Sequence, residues 1–240
     1  AVHWMARGVL HLVLYRVVYH LVLPAPWDIT DGPSLLLSIV AGYGLYLRIS
    51  GQFHLIVGIL GLFGMDLPET HKKYFLASSF NDYWRRVNIY WKDFIEKVVF
   101  YPLFLRIRRW NVPQPLAVAI LLTFIGSWLL HSYQWFWLRG HFPITVPDAL
   151  FWLILGGAVA VNSVMESRRG RRPAADEGFT PRAAAIHSLK VLGMFTFLAF
   201  LWSMWSSDDV GAWARQLPLL LDGPGAALWF VAFCGAALTV

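Results

Sequence analysis

Hydrophobic positions run along this chain in long blocks, not in the alternation of a half-buried strand or the narrow stripe of a water-soluble helix. Residues 115–138, 146–165 and 184–205 are each long and apolar enough to cross a hydrocarbon core, which takes about 20 residues. Residues 34–63 form a fourth block, interrupted near the middle by Arg48-Ile-Ser-Gly51, and predict a long crossing that bends or breaks there. Within it Gly58, Gly61 and Gly64 recur every third residue and would let a neighbouring backbone come close. Residues 9–23 are apolar yet flanked or punctuated by Arg7, His11, Arg16 and His20, as expected of a helix inside a bundle or one lying partly in the interface. Prolines end it across 24–33, and a last apolar block fills 225–240.

Residues 67–110 differ in kind, because lysines and arginines alternate with Trp and Tyr. On one helix over 80–100, Trp84, Val87, Asn88, Trp91, Ile95 and Val98 share a face, opposite Arg85, Lys92, Asp93 and Glu96. Asp82 with Arg86, Lys92 with Glu96 and Asp93 with Lys97 have the i,i+4 spacing of helical ion pairs. This segment is too polar to cross and predicts an amphipathic helix at the cytoplasmic interface.

Composition sets the class. In 240 residues, 58% are hydrophobic and only 14% charged, more apolar surface than one water-soluble core can hide. The expectation is an all-α, polytopic transmembrane bundle of about six crossings, with residues 1–240 forming one integral-membrane domain in contact with membrane lipid. The net charge of +6 comes from basic residues between the spans, the pattern of loops kept in the cytoplasm and not that of a nucleic-acid-binding face. That pattern puts the Arg168, Arg169, Arg171, Arg172 cluster inside and Asp28, Asp31, Asp208 and Asp209 outside. The single cysteine, Cys234, allows no disulfide framework or thiolate metal cluster within the chain. No signal-peptide pattern opens the sequence, which begins without Met and ends inside an apolar run, as a piece of a longer protein would.

Among the ionisable residues His131 stands apart, two turns inside the 115–138 span. Ionisable groups at membrane depth are costly and mark function by default. Spacing alone leaves open a histidine bonded to a neighbouring helix or a neutral imidazole suited to general-base chemistry. Trp128, Tyr133, Gln134, Trp135 and Trp137 around it fit an aromatic pocket or an interfacial belt equally. His11, His20 and His54 suit core or interface roles, and no nucleophile elbow, phosphate loop, dinucleotide fingerprint or zinc motif is present.

The run from Leu67-Pro-Glu-Thr through Asn81-Asp-Tyr-Trp-Arg-Arg-Val-Asn88, with Tyr101-Pro102 after it, resembles the hallmark region of the membrane-bound O-acyltransferase (MBOAT) family. Trp128-Leu-Leu-His131-Ser-Tyr-Gln-Trp is similar to that family's intramembrane histidine segment, and His187 to Ser207 to its late, tryptophan-rich helix. The ordered matches cover about residues 30–215.

The resemblance implies an MBOAT-like helical fold, of which this stretch is the C-terminal part, with funnels from both membrane faces meeting at His131. It implies His131 and Asn88 as the catalytic pair, and Trp84, Arg85, Arg86, Trp128 and Gln134 as candidate substrate contacts. No bound cofactor or metal is required. An acyl thioester such as acyl-CoA is the implied co-substrate and a hydroxyl, on a saccharide or another acceptor, the implied receiver. Accessory acylation proteins and a multi-pass place in a bacterial inner membrane belong to the same expectation. Two departures from the bacterial polysaccharide acetylases, Tyr46-Leu-Arg-Ile-Ser50-Gly51 and Leu130-His131-Ser132, leave the acceptor open. A transporter in which Arg48 partners His131, and a non-catalytic scaffold of the same family, are the competing expectations.

Overall fold

A computed structural model describes residues 1–142, 144–169 and 180–221. Cys234, the block 225–240, Arg171 and Arg172 lie outside the described residues. Ten α-helices follow in order: α1 (Val2–Val17), α2 (Gly32–Gly44), α3 (Leu47–Leu62), α4 (Phe80–Arg86), α5 (Ile89–Ile95), α6 (Tyr101–Arg109), α7 (Pro115–Arg139), α8 (Val146–Arg169), α9 (Pro181–Trp205) and α10 (Val210–Gln216). No strand occurs among the described residues. Among the described residues four helical segments are long and apolar enough to cross a membrane: Gly32–Leu62, Pro115–Arg139, Val146–Arg169 and Pro181–Trp205. The three later spans fall where the apolar blocks placed them.

The first span bends, but not at Arg48–Gly51. The tight turn lies at Leu45–Tyr46, where i,i+3 bonds from Tyr46 N–H to the Tyr43 carbonyl and from Arg48 N–H to the Leu45 carbonyl replace the α-pattern. Ser50 and Gly51 are buried in continuous helix instead. Their small side chains serve contact with α1, which lies antiparallel along α3. A Cβ on Gly8 would stand 2.9 Å from the Gly51 carbonyl oxygen and from the Leu55 nitrogen, and one on Gly58 would meet Met5. Gly64, by contrast, faces open space and ends the helix at φ +81°. The close approach of these two backbones explains how an α1 too short to be counted as a span is held.

The amphipathic segment is not the single helix over 80–100 that its spacing suggested. Val87 is extended and Asn88 adopts the left-handed conformation (φ +39°, ψ +61°), separating α4 from α5. The break is held from outside. Lys72 N–H donates to the Arg86 carbonyl at 2.9 Å and Ile89 N–H to the Thr70 carbonyl at 2.8 Å, so the groups freed by the interruption are satisfied. After α5 a π-turn over Glu96–Phe100 leads directly into α6. The Asp82–Arg86 and Lys92–Glu96 pairs form at 2.7 and 3.3 Å, whereas Asp93 turns to Lys92 at 2.5 Å and not to Lys97.

The core is aromatic. Tyr43 and Tyr46 of α2 and its bend meet Trp202 of α9, Trp202 meets Trp205, and Trp205 stacks on Phe151 of α8 at 4.5 Å while its indole donates to Asp148 at 2.5 Å. Asn81 ties α4 to α8: its backbone N–H donates to Asn162, its amide donates to Glu166 and its carbonyl oxygen accepts from Ser163. We expect Gly8→Ala to lower thermal stability in detergent by about 1–3 kcal/mol, because backbone atoms cannot yield to the added methyl. Gly157→Ala, with nothing within 4 Å, is the control and should gain up to roughly 1 kcal/mol; equal melting shifts for the two would contradict the α1–α3 contact.

Candidate functional site around His131

Sequence places His131 in the last third of α7, and the structure shows what holds it. Its Nδ1 lies 2.8 Å from the carbonyl oxygen of Ser127, one turn earlier. A carbonyl only accepts, so Nδ1 carries the hydrogen and Nε2 of the neutral ring keeps its lone pair. No described protein group hydrogen-bonds Nε2. The half-buried ring is wedged between two indoles, Trp91 of α5 edge-on at 4.7 Å and Trp152 of α8 at 4.9 Å. Trp91 is fixed in turn, its Nε1 donating to the Ser127 hydroxyl at 2.8 Å. One fully buried serine therefore orients the imidazole through its carbonyl and the covering indole through its hydroxyl.

Below this point α7 continues its inward stripe through Phe124, Thr123, Ile120 and Leu116, and there the stripe lines a cavity of about 270 Å³ between α4, α5, α7 and α8. Its apolar wall is completed by Trp84, Ile95, Phe100 and Val159, and its polar rim by Asn81, Arg85, Lys92, Glu96 and Ser163. Trp84 packs on Phe124 at 4.5 Å. Thr123 lies eight residues before His131, about 12 Å along the helix at 1.5 Å per residue. The cavity and the imidazole thus occupy one helix face, with Ser127 and the Trp91 indole between them.

The rim charges are not equivalent. Lys92 is neutralised by Asp93 and Glu96; burial alone would lower its pKa, but those carboxylate bonds outweigh it and hold the ammonium above its usual value. Arg86 is spent on Asp82 and does not line the cavity; burial works to raise the Asp82 carboxyl, and the Arg86 and Ser78 hydrogen bonds bring it below its usual value. Arg85 donates only its Nε–H to the Asn81 carbonyl, leaving its terminal nitrogens at the cavity mouth.

Asn88 is half-buried at the break before α5, three residues from Trp91, and no described hydrogen bond or ring contact joins it to His131. Neither Asn88 nor His131 lines the 270 Å³ cavity. Trp128 faces the core with its indole nitrogen buried and without a hydrogen-bond partner, and Gln134 is exposed. Arg48 lies over the Tyr15 ring at 5.8 Å, far from the contacts of His131.

A second buried polar centre escaped the sequence reading. Ser50 is bonded to His11 at 2.9 Å and to the Tyr74 hydroxyl at 3.0 Å; His71 is bonded to Tyr46 at 3.2 Å and to Thr70 at 3.2 Å. His54 lies beside them, 5.2 Å from His11 and stacked on Trp4, with both ring nitrogens buried and without protein partners. The signal was present: Tyr43, Tyr46, Ser50 and His54 recur at three- and four-residue spacing, a polar stripe on an otherwise apolar span. His71 belongs to the loop before α4. Burial first, then its positively charging neighbours His54, His11 and Arg7, push its pKa down to about 3. No group of three or more metal-ligating His, Cys, Asp or Glu side chains is found among the described residues.

No profile of a known protein family and no curated protein sequence matches this chain.

Two outcomes follow from these contacts. Ser127→Ala should destabilise the protein by about 1 kcal/mol through the lost indole bond, and should cost nothing further in a Trp91→Phe background. Additive losses in that cycle would mean the bond is not made. For His71, the folded pKa lies below the unfolded value of 6.5, so the unfolded chain binds the proton first as pH falls. Stability should therefore be flat above pH 6.5 and decline below it, at up to about 1.4 kcal/mol per pH unit, and His71→Gln should flatten that decline between pH 6.5 and 5 in thermal melts.

Proposed function

We propose that this protein is a membrane-bound O-acyltransferase with His131 as its general base. The observation that carries the reading is the 2.8 Å contact of Nδ1 with the Ser127 carbonyl, which in a neutral ring leaves a basic Nε2 without a described partner on the helix face that also lines the cavity. The resemblance of the segments around Asn88 and His131 to the MBOAT family supports the same assignment.

In this mechanism the acceptor hydroxyl gives its proton to His131 Nε2 as its oxygen attacks the thioester carbonyl. The tetrahedral intermediate carries its charge on the former carbonyl oxygen, and the resemblance, not a described contact, nominates the side-chain amide of Asn88 as its donor. Collapse breaks the carbon–sulfur bond, and the leaving thiolate recovers the proton from the imidazolium. The Trp91 and Trp152 rings exclude water from the imidazole, which favours transfer over hydrolysis of the thioester.

The cavity is the assigned donor site. An apolar wall of Trp84, Phe124 and Phe100 suits an acyl or pantetheine chain, and a volume of about 270 Å³ favours a short acyl group such as acetyl. Arg85 is the one rim cation not neutralised by a carboxylate among the described residues, so it, and not Arg86 or Lys92, is the proposed contact for donor phosphates. The acceptor is a hydroxyl compound, a saccharide or another carrier, reached with the help of accessory proteins in a bacterial inner membrane.

The test is acyl transfer from labelled acetyl-CoA by the natural full-length protein. His131→Ala should lower turnover by about 10²–10⁴-fold, and Arg85→Ala should raise the KM for acetyl-CoA about tenfold with little change in kcat, as expected of lost uniform binding. Unchanged turnover in His131→Ala would overturn the assignment.

A further inference from the structure

On the side of α1 and α3 that faces away from the core, a groove of about 510 Å³ is lined by Leu12, Tyr15, Arg16, Tyr19, Arg48 and Gln52. Arg16, Arg48 and Gln52 are exposed there. Arg48 stands over the Tyr15 ring at 5.8 Å, and Arg16 donates to His20 at 3.4 Å. Among the described residues no carboxylate pairs with either guanidinium.

The depth of this patch makes it unusual. Arg48 lies near the middle of the Gly32–Leu62 span, about 21 Å along the helix from its nearer end at 1.5 Å per residue. Arg16 is at the same level, because α1 runs antiparallel to α3 and both residues line one groove. A guanidinium facing hydrocarbon at that depth is costly and is tolerated when paired. The middle of a ~30 Å core is about 15 Å from either edge, farther than an arginine side chain reaches by snorkelling. Phospholipid phosphates lie beyond that edge, in the headgroup layer, too far to serve as counter-ions. Toward the N-terminus of α1, Val9 and Val13 on that helix and Ile56 and Ile59 on α3 are also exposed.

An electropositive groove at mid-span, with exposed apolar side chains on the same two helices, matches one kind of occupant. We propose that the Arg16–Arg48 face is the docking surface for a membrane-spanning helix, outside residues 1–240, that carries an Asp or Glu near its middle. The carboxylate pairs with the two guanidiniums while apolar side chains of the same helix pack against Val13 and Ile56. This inference is independent of acyl transfer and stands or falls without it.

The test uses the natural full-length protein in its own membranes and a hydrophobic carbodiimide, which condenses an amine with an adjacent carboxylate to an amide with loss of water to the reagent. Arg48→Lys and Arg16→Lys keep the charge and supply the amine; Arg7→Lys, whose partner Glu69 lies at 2.5 Å, is the positive control. The expected result is an amide cross-link in Arg48→Lys or Arg16→Lys, absent in Arg48→Gln and Arg16→Gln, that peptide mapping places on an Asp or Glu within an apolar helix outside residues 1–240. Three results overturn the proposal: no cross-link from either position while the Arg7→Lys control reacts; a cross-link mapped to a carboxylate of residues 1–240; or rapid labelling of Gln52→Cys, in a Cys234→Ser background, by a membrane-impermeant maleimide, which would show the groove filled with water.

Discussion

Two backbone hydrogen bonds, from Lys72 to the Arg86 carbonyl and from Ile89 to the Thr70 carbonyl, hold open the interruption on which the arrangement around His131 depends. Without them the segment after Ser79 has the charge spacing of one straight helix, and Trp84 and Trp91 would lie on one stripe. With Asn88 in the left-handed region, the helix restarts in a new direction. Trp84 then closes the cavity against Phe124, while Trp91 reaches the next turns of α7 and covers His131. A left-handed residue other than glycine carries a modest strain, least for Asn and Asp, and the outside bonds offset it. The same loop carries His71 and Tyr74 into the α3 network, so the break at Asn88 and the second polar centre are held by one segment.

Within a membrane, a polar side chain is stable where its hydrogen-bonding capacity is met locally. Ser127 illustrates this on α7: it is fully buried and has both its carbonyl and its hydroxyl engaged, one by His131 and one by Trp91. Ser50 does the same between α1 and the Tyr74 loop. These two serines differ in consequence. Around Ser50 its own partners, His11 and Tyr74, brace α1 and the loop before α4 against α3, while the neighbouring His54 is buried with both ring nitrogens unpartnered. Around Ser127 the imidazole retains one basic nitrogen with no protein partner, the condition for proton transfer to or from a bound molecule.

Much of this architecture was readable from hydrophobic length. The spans at 115–138, 146–165 and 184–205 appear within a few residues as α7, α8 and α9, because a run of about 20 apolar residues has few alternatives to a crossing helix. The interfacial segment was legible as helical and amphipathic but not as broken, since i,i+4 charge spacing is satisfied equally by two short helices. The bend in the first span was anticipated but displaced: Arg48 and Gly51 look like an interruption in a hydropathy trace, whereas the chain tightens at Leu45–Tyr46 and uses Gly51 for helix contact. His131 was legible because a lone imidazole inside an apolar run is conspicuous. The roles of Trp91 and Ser127 were not, because an indole on a helix face and a serine on a span gain meaning only once two helices are placed side by side. Arg48 was assigned to His131 in the transport reading, and only the packing of α1 on α3 shows it facing outward beside Arg16.

The claim on which the functional account rests is the state of one ring, and nitrogen NMR reads that state directly. In full-length protein labelled with ¹⁵N-histidine and assigned by comparison with His131→Gln, the account predicts a neutral His131 at pH 7 with its hydrogen on Nδ1 and an unprotonated Nε2 whose resonance moves when an acyl thioester and a hydroxyl acceptor are added. A ring carrying its hydrogen on Nε2, or a resonance unmoved by either substrate, would contradict it.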